Sequence, residues 1–326
     1  MSVRSLLLES LEAKARITSR DVLTARAMLF ADGRISPDEA EALFRVNQAV
    51  PETCPDWCAL FVEALTDHLV RQQEPAGYVD AAKADWLMAR VGADGRAPDD
   101  AEVELLIYVL EQADAAPEAL SHFALGQAAE IAHRPAAEGG GFTAANVARI
   151  GRALYAFAGA GGAGAVSHQE AETLFDLNDA ARGQPVDAAW TELFAKAIGA
   201  AVMQASGYRP PSRDEAASRR AWLGAPTSGV GGVLAGALRS VLKGGLADAA
   251  KSVLKDDATA AMEAEYAEFE DAASAAAPVD EKEARWIASR IGRDGALDDN
   301  EKALLRFLKA EAPSIHPALQ PLVAAA

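Results

Sequence analysis

Six acidic residues stand at spacings that suit a divalent cation. Asp32 with Glu39, Asp94 with Glu102, and Asp294 with Glu301 each bracket a glycine-bearing turn that feeds a helix. Laid against a twelve-residue calcium loop, Asp32 falls at position 5, Gly33 at 6, Ile35 at 8, Ser36 at 9 and Glu39 at 12. Asp294, Gly295, Leu297, Asp298 and Glu301 take the same places. The glycine turn and the terminal glutamate are two of the features calcium uses. Positions 1 and 3 are Met28 and Phe30 in the first turn, and Arg290 and Gly292 in the last. Calcium takes about six to eight oxygens, and those two positions normally supply carboxylates. The acids that remain, pooled with Asp38, Asp99 and Asp100, suit a weakly bound calcium, magnesium or manganese ion in a shallow, water-rich site.

A second reading of the same residues needs no ion. Ser36 with Glu39, Asp99 with Glu102, Ser167 with Glu170, and Asp298 with Glu301 are all capping boxes. In such a box the cap side chain accepts the amide of the third helical residue, whose glutamate reaches back to the cap amide. Pro37 suits the first helical position, where a missing N–H costs nothing. The third turn has Ala163 in place of the aspartate, and Glu102 stands one residue late relative to Asp94, yet all four turns keep cap and glutamate three apart. Helix punctuation is therefore what the four share.

These turns belong to a repeated chain. ADGRISPDEAEALFRV (31–46), ADGRAPDDAEVELLIYVL (93–110), GAGAVSHQEAETLFDL (162–177) and RDGALDDNEKALLRFL (293–308) each join a turn to an amphipathic helix, with apolar residues at helical spacing. PDWCALFVEAL (55–65) matches AAWTELFAKAI (188–198), pairing Trp57 with Trp190 and Phe61 with Phe194. VDAAKADWLMARVGADG (79–95) matches VDEKEARWIASRIGRDG (279–295). The offset between copies rises from 130 at Tyr78 and Tyr208 to 200 at Trp86 and Trp286, which marks an insert at 209–278. The expected fold is all-α: two homologous helical domains, 1–135 and 142–326, each of paired helix-loop-helix units, with a helical insert in the second. Pro135 and three glycines make 136–141 a loose linker. In the first domain the periodicity predicts helices at 3–16, 19–31, 37–48, 56–72, 79–91, 100–113 and 117–133.

With 326 residues, half of them apolar and few aromatic, the chain can build a sizeable helical core. Its net charge of −17 argues against nucleic acid and is compatible with a cation or a basic partner. No signal peptide or apolar run long enough to span a membrane is present, so a cytoplasmic protein is expected. Cys54 and Cys58 read as core residues rather than a disulfide or metal site. His68, His122, His133, His168 and His316 form no metalloprotease motif. Glycine-rich 158–166 lacks the lysine and spacing of a phosphate loop. The chain reads as a non-enzyme that requires no cofactor.

The insert carries its own signal. Residues 226–255 are basic inside an acidic chain, and Leu234, Leu238, Val241, Leu242 and Leu246 share a helical face interrupted by Arg239 and Lys243. Such a helix can pack on its own acidic domain or against 257–277, dock a protein partner or second copy, or lie on an anionic membrane as a peripheral contact. Six glycines weaken it as a free helix, and aromatic anchors are absent. The seven named residues are the candidate partner-binding set.

At its turns the chain resembles the tellurite-resistance TerB-like family. FADGRISPDEAEALF (30–44) follows that family's A-D-G-x-[IV]-[ST]-x-x-E pattern, GADGRAPDDAEVELL (92–106) is a looser second copy, RDGALDDNEKALL (293–305) is again close, and 162–175 is degenerate. The resemblance implies a compact helical fold, divalent-cation binding through Asp32, Glu39, Asp94, Asp294 and Glu301, and work within a membrane-associated stress or signalling assembly. The expected function is a helical binding or scaffold protein acting through protein contacts, with a divalent-cation-binding regulator as the alternative.

Overall fold

A computed structural model describes residues 3–93, 95–135, 137, 139–156, 166–205, 278–279, 281–293, 296–312 and 314–326. The partner-binding candidates Leu234, Leu238, Arg239, Val241, Leu242, Lys243 and Leu246 lie outside these residues, as do Asp94 and Asp294. The regular secondary structure of the described residues is almost entirely helical. The helices are α1 (Val3–Glu12), α2 (Ser19–Leu29), α3 (Pro37–Ala49), α4 (Pro55–Thr66), α5 (Ala81–Arg90), α6 (Asp100–Gln112), α7 (Glu118–His133), α8 (Ala144–Tyr155), α9 (His168–Ala181), α10 (Ala188–Ala205), α11 (Glu281–Arg290), α12 (Asp299–Glu311) and α13 (Gln320–Ala325). None of them is long and apolar enough to cross a membrane.

The helices start where capping chemistry starts them. Ser36, Asp99, Ser167 and Asp298 each sit in extended backbone and complete a capping box with the glutamate three residues on. Thr18 and Asp21 make a fifth, which the turn pattern did not single out. Losing such a cap typically costs ~1 kcal/mol. α1 stops at Glu12 rather than running to 16. Ile17 is fully buried and its N–H donates to Glu52 O at 2.9 Å, a pairing that needs extended backbone at Arg16. The helix expected over 56–72 is α-helical only to Thr66, and continues as a π-helical turn over Asp67–Gln72.

A recurring closure ties these elements into pairs. A residue shortly before α2 bridges one shortly after α3, Arg16 to Glu52. Tyr78 and Ala115 do the same around α5 and α6, and Phe142 and Val186 around α8 and α9. Around α11 and α12 the bridge grows to a two-residue parallel pairing, Pro278–Val279 with Ser314–Ile315. All four bridges are parallel. At each, an apolar residue (Ile17, Val79, Phe142 or Val279) is buried next to the bridge.

The chain divides into two compact units, one running to Phe194 and the other from Ala195 onward among the described residues. The boundary falls within α10, whereas the sequence placed it at 136–141. That expected linker is tied down. Gly141 N–H donates to Ala132 O at 2.9 Å, and the Asn146 amide donates to Gly139 O and Gly141 O at 3.0 and 2.9 Å. Gly139 and Gly141 have φ of 80° and 85°, so the glycines make a fixed turn there. From α8, Arg152 then forks onto Glu104 and Glu111 of α6, with four hydrogen bonds of 2.8–3.0 Å.

In the first compact unit the core repeats a local arrangement. Trp57 donates its indole N–H to Asn47 Oδ1 at 3.0 Å, and Trp190 donates to Asn178 Oδ1 at 3.1 Å. Phe44 meets Phe61 edge-on at 5.2 Å, and Phe175 meets Phe194 edge-on at 5.3 Å. Both tryptophans are completely buried, so each indole N–H needs its asparagine. In the second unit, Ile198, Val202, Ile287, Leu304 and Leu308 are core residues. Gly199 of α10 lies so close to the Phe307 ring that a Cβ there would overlap it.

Candidate functional site: the acidic turns and an adjoining cleft

The first turn is built around an arginine. Gly33 takes φ 71°, and Asp32 Oδ1 accepts the Arg34 amide at 3.0 Å, closing the turn. From α1, Arg4 Nη2 lies 2.9 Å from Asp32 Oδ2 and Nη1 lies 3.3 Å from Glu39 Oε1. The second oxygen of Glu39 accepts the Ser36 amide at 2.8 Å and the Ser36 hydroxyl at 2.9 Å. The guanidinium thus stands where a cation bridging Asp32 and Glu39 would stand. Its bond to Asp32 holds that carboxyl below the usual aspartate range, and raises Arg4 in return.

The other turns use their glutamates in the same structural way. Glu39, Glu102, Glu170 and Glu301 are only 6%, 3%, 7% and 1% exposed. Glu102 accepts the Asp99 amide and the Gln48 side chain at 3.2 and 3.1 Å, and burial pushes its carboxyl up. Glu301 takes the Asp298 and Gly292 amides at 2.8 and 2.9 Å. Glu170 takes the Ser167 amide at 2.8 Å. Among the described residues, no three His, Cys, Asp or Glu side chains gather within reach of one ion. Two carboxylates already facing a guanidinium do not make the six-to-eight-oxygen cage, roughly, that calcium takes.

Behind the first turn, the π-helical segment grips the chain just before α3. Gln72 Oε1 accepts the Ile35 N–H at 2.8 Å, and His68 Nδ1 lies 2.7 Å from Ile35 O. A carbonyl only accepts, so Nδ1 carries the proton; Nε2 then accepts from the Gln73 amide at 2.7 Å. Burial lowers His68 below the usual imidazole value, and it stays neutral near pH 7. Lys83 is buried as well. Its ammonium donates to the carbonyls of Gln73, Pro75 and Tyr78 at 2.9, 3.2 and 2.7 Å. Beside these groups opens a cleft of about 310 Å³, walled by Pro37, Leu69 and Trp86.

Two ion-pair nodes escaped the sequence reading. Glu41 takes a bidentate fork from Arg90 at 2.7 and 2.8 Å and the Trp86 indole N–H at 2.9 Å, with the Arg90 guanidinium 5.7 Å over the Trp86 ring. The sequence paired Trp86 and Arg90 with Trp286 and Arg290, but nothing in it joined them to a glutamate on another helix. A usable hint was Glu41 itself, which recurs two after the capping glutamate as Glu172. The second node is Arg152 with Glu104 and Glu111, described above. Cys58 is a free thiol pushed up to about 11, mainly by burial, as suits a packing residue.

Comparison with known proteins returned no matching family model, no matching curated protein and no matching solved structure.

Proposed function

We propose that this chain is a non-enzymatic helical scaffold that works through protein–protein contacts, built as two homologous domains by tandem duplication. The observation that carries this reading is the recurrence of one helix pair, capped by a buried glutamate and closed by a parallel bridge, four times along the described chain. Tandem helix pairs present extended surfaces to partners. The turn motifs that resemble the TerB-like family favour the same architecture, and a net charge of −17 favours a basic partner. The test is cross-linking and co-purification of the full chain in its own cells, beside a chain lacking 209–278. A stoichiometric partner, released by salt, is expected. A chain recovered alone in both forms at physiological salt would overturn the reading, and a partner kept by the shortened chain would remove the insert as its binding element.

The alternative is a divalent-cation-binding regulator. The observation favouring it is the Arg4 guanidinium held between Asp32 and Glu39, which marks a place that attracts positive charge. Calorimetry with calcium, magnesium and manganese tests it, with Asp32→Ala as the control.

A further inference from the structure

Most polar groups of the cleft beside His68 are already committed. The three hydrogen bonds of the Lys83 ammonium go to backbone carbonyls. The His68 proton goes to Ile35 O, and its other nitrogen accepts from Gln73. Neither residue has a donor left for a ligand. Apart from the second N–H of the Gln73 amide, what remains on the lining is acceptor capacity. Among the described residues, the exposed Glu74 carboxylate makes no hydrogen bond or ion pair, and neither does the second oxygen of Asp80, whose first oxygen caps α5 by accepting the Lys83 amide at 2.8 Å. With Lys83 offsetting one carboxylate and His68 neutral, the lining keeps a negative excess.

The rest of the lining is apolar or aromatic, with Pro37, Leu69 and Trp86 forming the walls. An anion would face the two carboxylates, with only the second N–H of the Gln73 amide to donate to it. A neutral apolar ligand would strip water from two carboxylates without replacing its hydrogen bonds. The chemistry that fits is a donor-rich cation on an apolar stem, the stem along the walls and the head at the acids. At about 310 Å³ the cleft is at the small end for ligand sites, nearer a single side chain than a cofactor.

We propose that this cleft receives a lysine or arginine side chain of a protein partner. The proposal rests on the scaffold reading and gives it a contact point, in keeping with the strongly acidic chain. Glu74 and Asp80 hold the head group by charge-assisted hydrogen bonds, and Trp86 packs against the methylenes.

The test uses the full chain at low ionic strength. The probe is a capped tripeptide with a central lysine, with the glutamine-centred peptide as comparison, read by calorimetry and by the NMR shift of the Trp86 indole proton. The lysine peptide should bind and the glutamine peptide should not. Glu74→Lys should weaken binding about tenfold or more by placing like charge at the head group. Asp80→Asn keeps the cap, since asparagine caps a helix as well as aspartate does, and should give a smaller loss. Glu130→Lys, an exposed site on α7, should change nothing. Glu74 is exposed, so its variant should melt with the native chain. No binding, binding indifferent to Glu74→Lys, or an equal loss in Glu130→Lys each overturns the proposal. If any of these occurs while a partner still co-purifies with the chain, the cleft falls and the scaffold reading stands.

Discussion

The guanidinium of Arg4, on the first helix, lies 2.9 Å from the carboxylate of Asp32, at the turn between α2 and α3. Its other arm reaches the buried Glu39, 35 positions along the chain from Arg4. A tethered cation therefore serves two acids that resemble half of a calcium loop. Any divalent ion at this turn must displace it. Arg4→Ala should bind calcium or manganese more tightly than the native chain in a calorimetric titration. The absence of heat in both proteins would remove the first turn as a cation site.

The same pair has a pH signature. Asp32 is held below its usual range by Arg4, so its contribution to stability is present above the unfolded-state value near 4, roughly. It is lost as pH falls through the lower folded-state value. The difference in melting temperature between the native chain and Asp32→Asn should be largest near neutral pH and shrink below about pH 4.

His68 predicts a response in a different window. Its folded-state value is lowered, by burial first, and it faces Asp67, Glu39 and Lys83. The unfolded chain takes up the proton near pH 6.5, roughly, before the folded chain does, so stability should fall as pH drops from there. His68→Gln, which can still donate to Ile35 O, should flatten that part of the stability curve. A native chain equally stable at pH 7.5 and pH 5.5 would contradict the buried, neutral ring.

Asn47 and Asn178 should each matter more than their size suggests. Removing either leaves a tryptophan N–H buried without an acceptor, a loss of about 1–3 kcal/mol. Asn47→Ala and Asn178→Ala should both lower the unfolding free energy by that amount, read from the shift in denaturant midpoint at unchanged m-value. In Asn47→Ala with Trp57→Phe, the second change should recover part of the hydrogen-bond loss, since no donor is then stranded.

Gly199 tests the close approach of α10 and α12 in the second compact unit. Gly199→Ala should destabilise by about 1–3 kcal/mol through overpacking on Phe307, although alanine is the better helix former. Phe307→Leu should relieve it. Additive effects of the two substitutions would show that the residues do not touch.

The sequence by itself determined where helices begin and which residues face inward. A capping box spans three residues and an amphipathic stripe spans two turns, so both are local, and Ser36 with Glu39 or Trp57 with Phe61 could be read directly. The repeated aromatics likewise announced a repeated core. What only the tertiary structure decided was how charge and backbone polarity were settled between distant segments. Nothing near Asp32 in the chain points to Arg4, nothing near Arg90 points to Glu41, and three glycines read as slack until Asn146 holds two of their carbonyls and Arg152 ties α8 to α6. The reason is physical. A carboxylate pairs with whichever cation folding brings within about 4 Å, and a buried carbonyl takes whichever donor arrives. Neither choice leaves a periodic trace in the sequence, so the acids that suggested metal chemistry could be located there but their partners could not.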